Sequence, residues 1–399
     1  MYGKTWMAAV LAALAWGATG DATQAAQAAD GAAPRQADPA AALPGQAPML
    51  PQAGNPAHGE LQGYRRWLSQ HPDRAAALAA DRALADNIVS WQMPHGGFYK
   101  LPARYAAPWD GKAPRSDWRG MGVELGTIDN DATVSEILVL ADVYGRTGDP
   151  AYRDSARRAM DFLLNMQYPS GGFPQVYPSR GPDSYSNHVT FNDNAMVRVL
   201  LLDLAARGKG PLAGELFTER QQARFAPALE RAVDFILKAQ ILQDGVRTVW
   251  CAQHNAQSYA PVTGRSFELP SKSGAESALV TEFLMTRPQT PEVAAAVKAA
   301  LAWYRRDGVQ LKDTAFEPRT TRAAGVSPFV HSPGTTSWYR FYDLATDTGF
   351  FSGRLPTDKP PGVGKQYDIM KIGAESRYTY QWGGSYGTPL LAYAEKVGY

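Results

Sequence analysis

One phrase occurs twice in this chain: a glutamine, three residues, then Gly-Gly-Phe. It reads "QMPHGGF" from Gln92 and "QYPSGGF" from Gln167, and a weaker third copy, "QILQDGV", starts at Gln240. The three glutamines are 75 and 73 residues apart. Near-equal periods of this kind mark a repeated supersecondary unit, which limits the fold more than composition does.

Each unit reads as a pair of helices. After "TIDNDAT", the residues Val134, Ile137, Leu138, Ala141 and Tyr144 fall at helical spacing, with a stop over Gly145 to Pro150. Thr133 and Glu136 have the spacing of a capping box. A second helix follows, with Ala156, Met160, Leu163 and Leu164 on one face. "TFNDNAM" opens the next pair through Met196, Val199, Leu200 and Leu204, and "SKSGAES" opens the third, with Ser273 and Glu276 as its capping box. Short turns and long loops alternate between helices, so all long loops must leave one end of an up-down array. Long ordered loops in a compact domain usually carry function. The expected fold is mainly α: an α/α toroid, an incomplete (α/α)3 barrel of helical hairpins. Its long loops and short strands, such as "RTVWCAQ", would form one rim.

The chain has 399 residues and a formal net charge of +2, which excludes the bulk basic field of a nucleic-acid binder. Its one cysteine, Cys251, excludes an internal disulfide and reads as a small buried hydrophobe. "MYGKTWMAAVLAALAWGATG" has an early lysine and an apolar run too short to span a bilayer. Residues 1–28 are therefore expected to be a signal peptide, and the protein to be secreted or periplasmic without stable membrane association. Residues 29–59 are rich in Ala, Pro and Gly and read as a disordered linker, leaving 60–399 as the folded toroid domain, expected to act as a monomer.

Three polar clusters precede helix starts: Asp129, Asn130 and Asp131; Asn192, Asp193 and Asn194; Arg265, Glu268 and Lys272. The topology puts all three at the long-loop end. Carboxylate and amide oxygens from separate loops suit a hard cation such as Ca²⁺. The local alternative is that Asp and Asn merely cap helices, as Glu136 and Glu276 are expected to do, and that Arg265 pairs with Glu268. Trp250 and Phe173 read as packing residues, and His254 and His188 as hydrogen-bonding loop residues.

"TIDNDAT", "GGFPQVYP", "TFNDNAMVRVL", "TVWCAQH", "GRSFELPSKSGAES" and "WYRFYDL…FFSGR" occur in this order between about Trp91 and Trp382. Together they resemble the pectate lyases of polysaccharide lyase family ten, whose fold is an α/α toroid. The resemblance implies Ca²⁺-dependent anti-β-elimination of polygalacturonate, giving 4,5-unsaturated oligogalacturonates. It places calcium ligation on Asp129 and Asp193, with Asp131 competing for the first role. The Brønsted base falls on Arg265, and Asn192, Arg340, Arg354 and Lys100 fall where substrate would be bound. Family members often carry a second Asp after "FND", where this chain has Asn194.

The chemistry explains the mixture of acids and arginines. The C5 proton is α to a carboxylate, a poor electron sink until a cation neutralises it. Neighbouring positive charge is expected to lower the arginine base's pKa and give an alkaline optimum. Two rivals remain from residues alone. One is a glycoside hydrolase pairing Asp193 with Glu268 or Asp129; the other is a non-catalytic pectin-binding protein.

Overall fold

The short turns inside the helical pairs carry the clearest local signals. Gly148 takes a left-handed φ of 68° that ends one helix; the Asp149 side chain then accepts from the Ala151 N–H and Pro150 starts the next. Thr218 and Gln221 form a full capping box, and Thr290 caps the helix that begins at Pro291. The computed structural model describes residues 74–207, 212, 214–353 and 364–399. The expected signal peptide and linker, and Arg354, lie outside the described residues.

The longer helices are α1 Arg74–Trp91, α2 Val134–Thr147, α3 Pro150–Met166, α4 Ala195–Arg207, α5 Glu219–Ala239, α6 Glu276–Met285, α7 Pro291–Tyr304 and α8 Gly387–Lys396. In sequence, α2 touches α4, α4 touches α6 and α6 touches α8, making one layer; α3, α5 and α7 make a second. Helix α1 packs on α2 and α3. All ten residues of α6 are buried, whereas α3 buries a stripe that includes Ala156, Met160, Leu163 and Leu164. That contrast separates an inner layer from an outer one. The protein is mainly α, a two-layered arc of hairpins; ring closure does not follow from these contacts. Among the described residues no helix is long and apolar enough to cross a membrane.

The long loops do leave one end, and short antiparallel strand pairs staple each to the next. Gly126–Thr127 pairs with Val176–Tyr177, Val189–Thr190 with Gln253–His254, and Lys272–Ser273 with Phe341–Tyr342. The fourth loop adds a three-stranded sheet, in which Phe329–Tyr339 lies between Leu311–Phe316 and Gly383–Gly384. The stretch "RTVWCAQ" is not one strand: only Val246–Arg247 and Gln253–His254 pair, and Trp250 and Cys251 between them are buried in the protein interior.

The repeated phrase has a mechanical cause. The Gln92 amide donates to the Gly96 carbonyl of its own loop at 2.8 Å and to Ser155 of α3 at 2.9 Å. Gln167 does the same to Gly171 and to Ala228 of α5, and Gln240 to Thr248 and to Ala296 of α7. Each glutamine therefore pins its loop to the next outer helix. Gly96 and Gly171 have φ of 94° and 100°, and a Cβ on either would lie 2.2 and 2.0 Å from the carbonyl oxygens of Arg158 and Arg231. Only glycine fits. The third loop has grown a hairpin there instead, and its Gly245 has open space around it.

Candidate active site

Two short turns at the inner-layer helix starts have the same backbone and exchanged side chains. Both are single 3₁₀ turns, Asp129–Asp131 and Asn192–Asn194, each two residues after a strand-ending threonine. Asn130 and Asp131 have φ of 50° and 63°; Asp193 and Asn194 have 51° and 60°. Asn and Asp tolerate this left-handed region better than other side chains, which fixes their use here before any role in chemistry.

The turns meet through an arginine that sequence reasoning missed. Arg198, a buried charge on the apolar inner helix α4, places Nη1 2.5 Å from Asp131 Oδ1 and donates to the Asp193 carbonyl at 3.0 Å. Its signal was there: it is the only charge in "AMVRVLLL". Asp129 is more deeply buried and accepts from Lys100 Nζ. From the fourth loop, Arg340 reaches across with Nη2, 3.0 Å from Asp193 Oδ1 and 3.2 Å from Asn192 Oδ1, and also donates to Glu276 Oε1. Its guanidinium lies over the Tyr380 ring, 4.9 Å from the centroid. Burial works against ionisation of Asp193, but Arg340, Arg265 and Arg198 outweigh it and hold the carboxyl below its ordinary pKa.

Arg265 faces the same group from the third loop, since Asp193 and Tyr380 both act on its charge. Its closest partner is Glu268: Nη2 lies 2.5 Å from Oε1, and the backbone N–H donates to Oε2 at 2.9 Å. The Tyr380 hydroxyl donates to the same Oε1 at 3.1 Å. The expectation of a lowered arginine pKa rests on neighbouring cations; among the described protein groups the balance runs the other way. Burial does oppose its charge, but Glu268 more than offsets that and raises the pKa of Arg265. The buried Arg340 is raised likewise, burial being outweighed by Glu276, Tyr380 and Asp193.

Other expectations are redistributed. Lys272, grouped with Arg265 by sequence, is fully buried in a separate network, bonded to Asp347 Oδ1 and Gln243 Oε1 at 2.6 Å each. Thr133 does not cap α2: its φ is 68°, and its hydroxyl accepts from Phe98 N–H and donates to the Thr127 carbonyl. Glu136 instead accepts from the Tyr105 hydroxyl at 2.8 Å, and burial raises its pKa to about 7. Ser273 does accept from the Glu276 N–H at 3.1 Å, but the Glu276 carboxylate serves Arg340 and the Asp193 N–H as well. His254 is buried between Cys251 N–H and the Tyr259 carbonyl, with its pKa lowered to about 4 by burial.

Among the described residues no three His, Cys, Asp or Glu side chains converge closely enough to hold a metal ion alone. The two turns nonetheless carry hard oxygen donors, the ionised Asp193, Asp131 and the amide oxygen Asn194 Oδ1, and Arg198 links the first turn to the second. That amide oxygen is buried without a hydrogen-bond partner among the described residues. The donor set fits a hard divalent cation whose shell is completed by a further carboxylate.

A mainly-α scaffold whose loops interleave ionised acids with arginines suits an anionic ligand, and its similarity to known proteins gives its class as a polysaccharide lyase. The model of the pectic acid lyase family matches residues 92–391, and the chain belongs to that family. It is a pectate lyase, a lyase acting on polysaccharides. The family 10 polysaccharide lyase from Cellvibrio cellulosa is 40% identical over 88% of this chain and 98% of its own, with a TM-score of 0.70. An aspartate-to-alanine mutant of that enzyme, in complex with trigalacturonic acid, matches at 40% identity, 88% and 100% coverage and a TM-score of 0.71. No curated protein matches the chain.

Proposed function

We propose that this enzyme cleaves polygalacturonate by calcium-assisted anti-β-elimination, with the two turns holding the metal and Arg265 taking the proton. The observation that carries the reading is Arg340, which ties Asn192 and Asp193 of the second loop to Glu276 at the start of α6. Acids, amide and guanidinium thereby share one charged group of side chains. The similar mutant enzyme's complex with trigalacturonic acid supports the substrate class.

Asp131 and Asp193 are the proposed calcium carboxylates. Their side chains are 17% and 34% exposed, against 5% for Asp129, whose carboxylate already serves Lys100. When bound, Ca²⁺ would neutralise the substrate carboxylate and make it an electron sink. Arg340 would bind uronate carboxylate through its guanidinium while Glu276 and Tyr380 fix its plane. Arg265 removes the C5 proton, the C5–H electrons form the C4–C5 double bond, and the C4–O bond breaks. The leaving oxygen then takes a proton from water. Only neutral Arg265 can act this way, and Glu268 opposes that form. The neutral fraction, and with it the rate, should rise about tenfold per pH unit.

A paired-carboxylate hydrolase is disfavoured by the same electrostatics. It needs one carboxylic acid kept protonated near neutrality, and both Asp193 and Glu268 have lowered pKa values despite burial. The test is polygalacturonate digestion followed by ultraviolet absorbance, with Ca²⁺ or with excess chelator. Absorbing product with Ca²⁺ alone is expected. Undiminished turnover in chelator would remove the metal, and new reducing ends without absorbance would remove elimination.

A further inference from the structure

Trp118 carries two cations that the reaction above does not need. Lys100 Nζ lies 4.7 Å and the Arg180 guanidinium carbon 4.6 Å from its ring centroid, and Tyr99 meets the ring edge-on at 5.3 Å. Backbone packing sets this geometry. The hairpin Arg119–Gly120 with Val123–Glu124 follows Trp118 directly, and a Cβ on Gly120 would lie 2.5 Å from Arg180 Cα and from Ser179 O. Arg180 has no ion-pair partner among the described residues, and its Nη2 is buried without a hydrogen-bond acceptor. Arg180, sharing one indole with the Asp129-paired Lys100, has an unanswered donor and no anion of its own among the described residues. Lys100 also bonds Asp129, beside the Asp131 turn, so the platform is continuous with the proposed metal site.

We propose that Trp118, Arg180 and Lys100 form a second uronate subsite, in which the two cations hold a sugar carboxylate beside the indole. This rests on the polygalacturonate reading and extends it: the enzyme would grip its polymer at one residue beyond those next to the scissile bond. A carboxylate at that position would have to be free, so methyl esterification there should be selected against.

The test is calorimetric titration of the full enzyme with galacturonate hexamer and trimer in excess chelator, where the proposed reaction does not turn over; product is then followed by ultraviolet absorbance after Ca²⁺ is restored. In Arg180→Gln the hexamer should weaken about tenfold and the trimer at least threefold less than that. Arg180→Lys, which keeps the charge and loses the fork, should fall between and carries the test if the first variant does not fold. Equal weakening of both oligomers, or no weakening of the hexamer, overturns the subsite. Wild-type enzyme that binds hexamer but makes no unsaturated product contradicts the proposed reaction and leaves the subsite standing.

Discussion

The turns Asp129–Asp131 and Asn192–Asn194 are one backbone used twice, with acid and amide exchanged at every position. In the first, the buried Asp129 is answered by Lys100 and the more open Asp131 by Arg198. In the second, the single acid Asp193 stands at the middle, left-handed position and faces Arg340. The repeat thus supplied a scaffold that places a short polar side chain at each inner-helix start, and the loops decided its use. On the proposed assignment, the copy with two acids keeps Asp129 for structure and Asp131 for the site, and the copy with one acid commits Asp193 to the site.

Substitution can break that comparison. Asp193→Asn should lose about a thousandfold in kcat/KM, because no second acid stands in its turn, and should also lower the melting temperature at neutral pH, because the arginines that depress its pKa lose their carboxylate. A second pair of equivalent residues gives the next effect: Glu276 is answered by Arg340, whereas the carboxylate of Glu136, in the same first turn of its helix, accepts from the Tyr105 hydroxyl. Burial raises Glu136 from 4.5 to about 7, so the folded state favours its neutral form. Stability is then complete below pH 4.5, falls as pH rises toward 7 and stays reduced above it. Glu136→Gln should therefore stabilise the enzyme by about 3 kcal/mol at pH 9 and hardly at all at pH 4, read by thermal melts. Asp131→Asn should cost about a hundredfold in kcat/KM. Asp129→Asn should cost about tenfold or less in rate and instead lower stability by about 1 kcal/mol, since Lys100 loses its partner. Reversal of these last two effects would exchange the roles assigned to the two acids.

The fold was legible because its signals are periodic and local. Helix pairs, the stop over Gly145 to Pro150, and the common end for the long loops follow from spacing and turn length. Gln92, Gln167 and Gln240 advertised the repeat, but their task needed coordinates, since each bonds to a helix about sixty residues away. The site was legible as a set of residues and only partly as an arrangement. Asp193, Asn192 and Arg340 come together as expected, while Lys272 leaves for Asp347, seventy-five residues on. Thr133 and Glu136 have the spacing of a capping box, yet Thr133 takes a left-handed backbone that its sequence does not announce. Glu268 sits three residues from Arg265 in plain view, but whether it orients or silences that arginine depends on the 2.5 Å contact.

The central claim is that Asp131 and Asp193, from two repeats, hold one calcium ion together with the substrate. Calcium titration calorimetry in the presence of trigalacturonic acid measures this directly on wild-type enzyme and on Asp129→Asn, Asp131→Asn and Asp193→Asn. The account predicts at least tenfold weaker calcium binding in the second and third variants and little change in the first. Full affinity in Asp193→Asn, or a loss confined to Asp129→Asn, would contradict it.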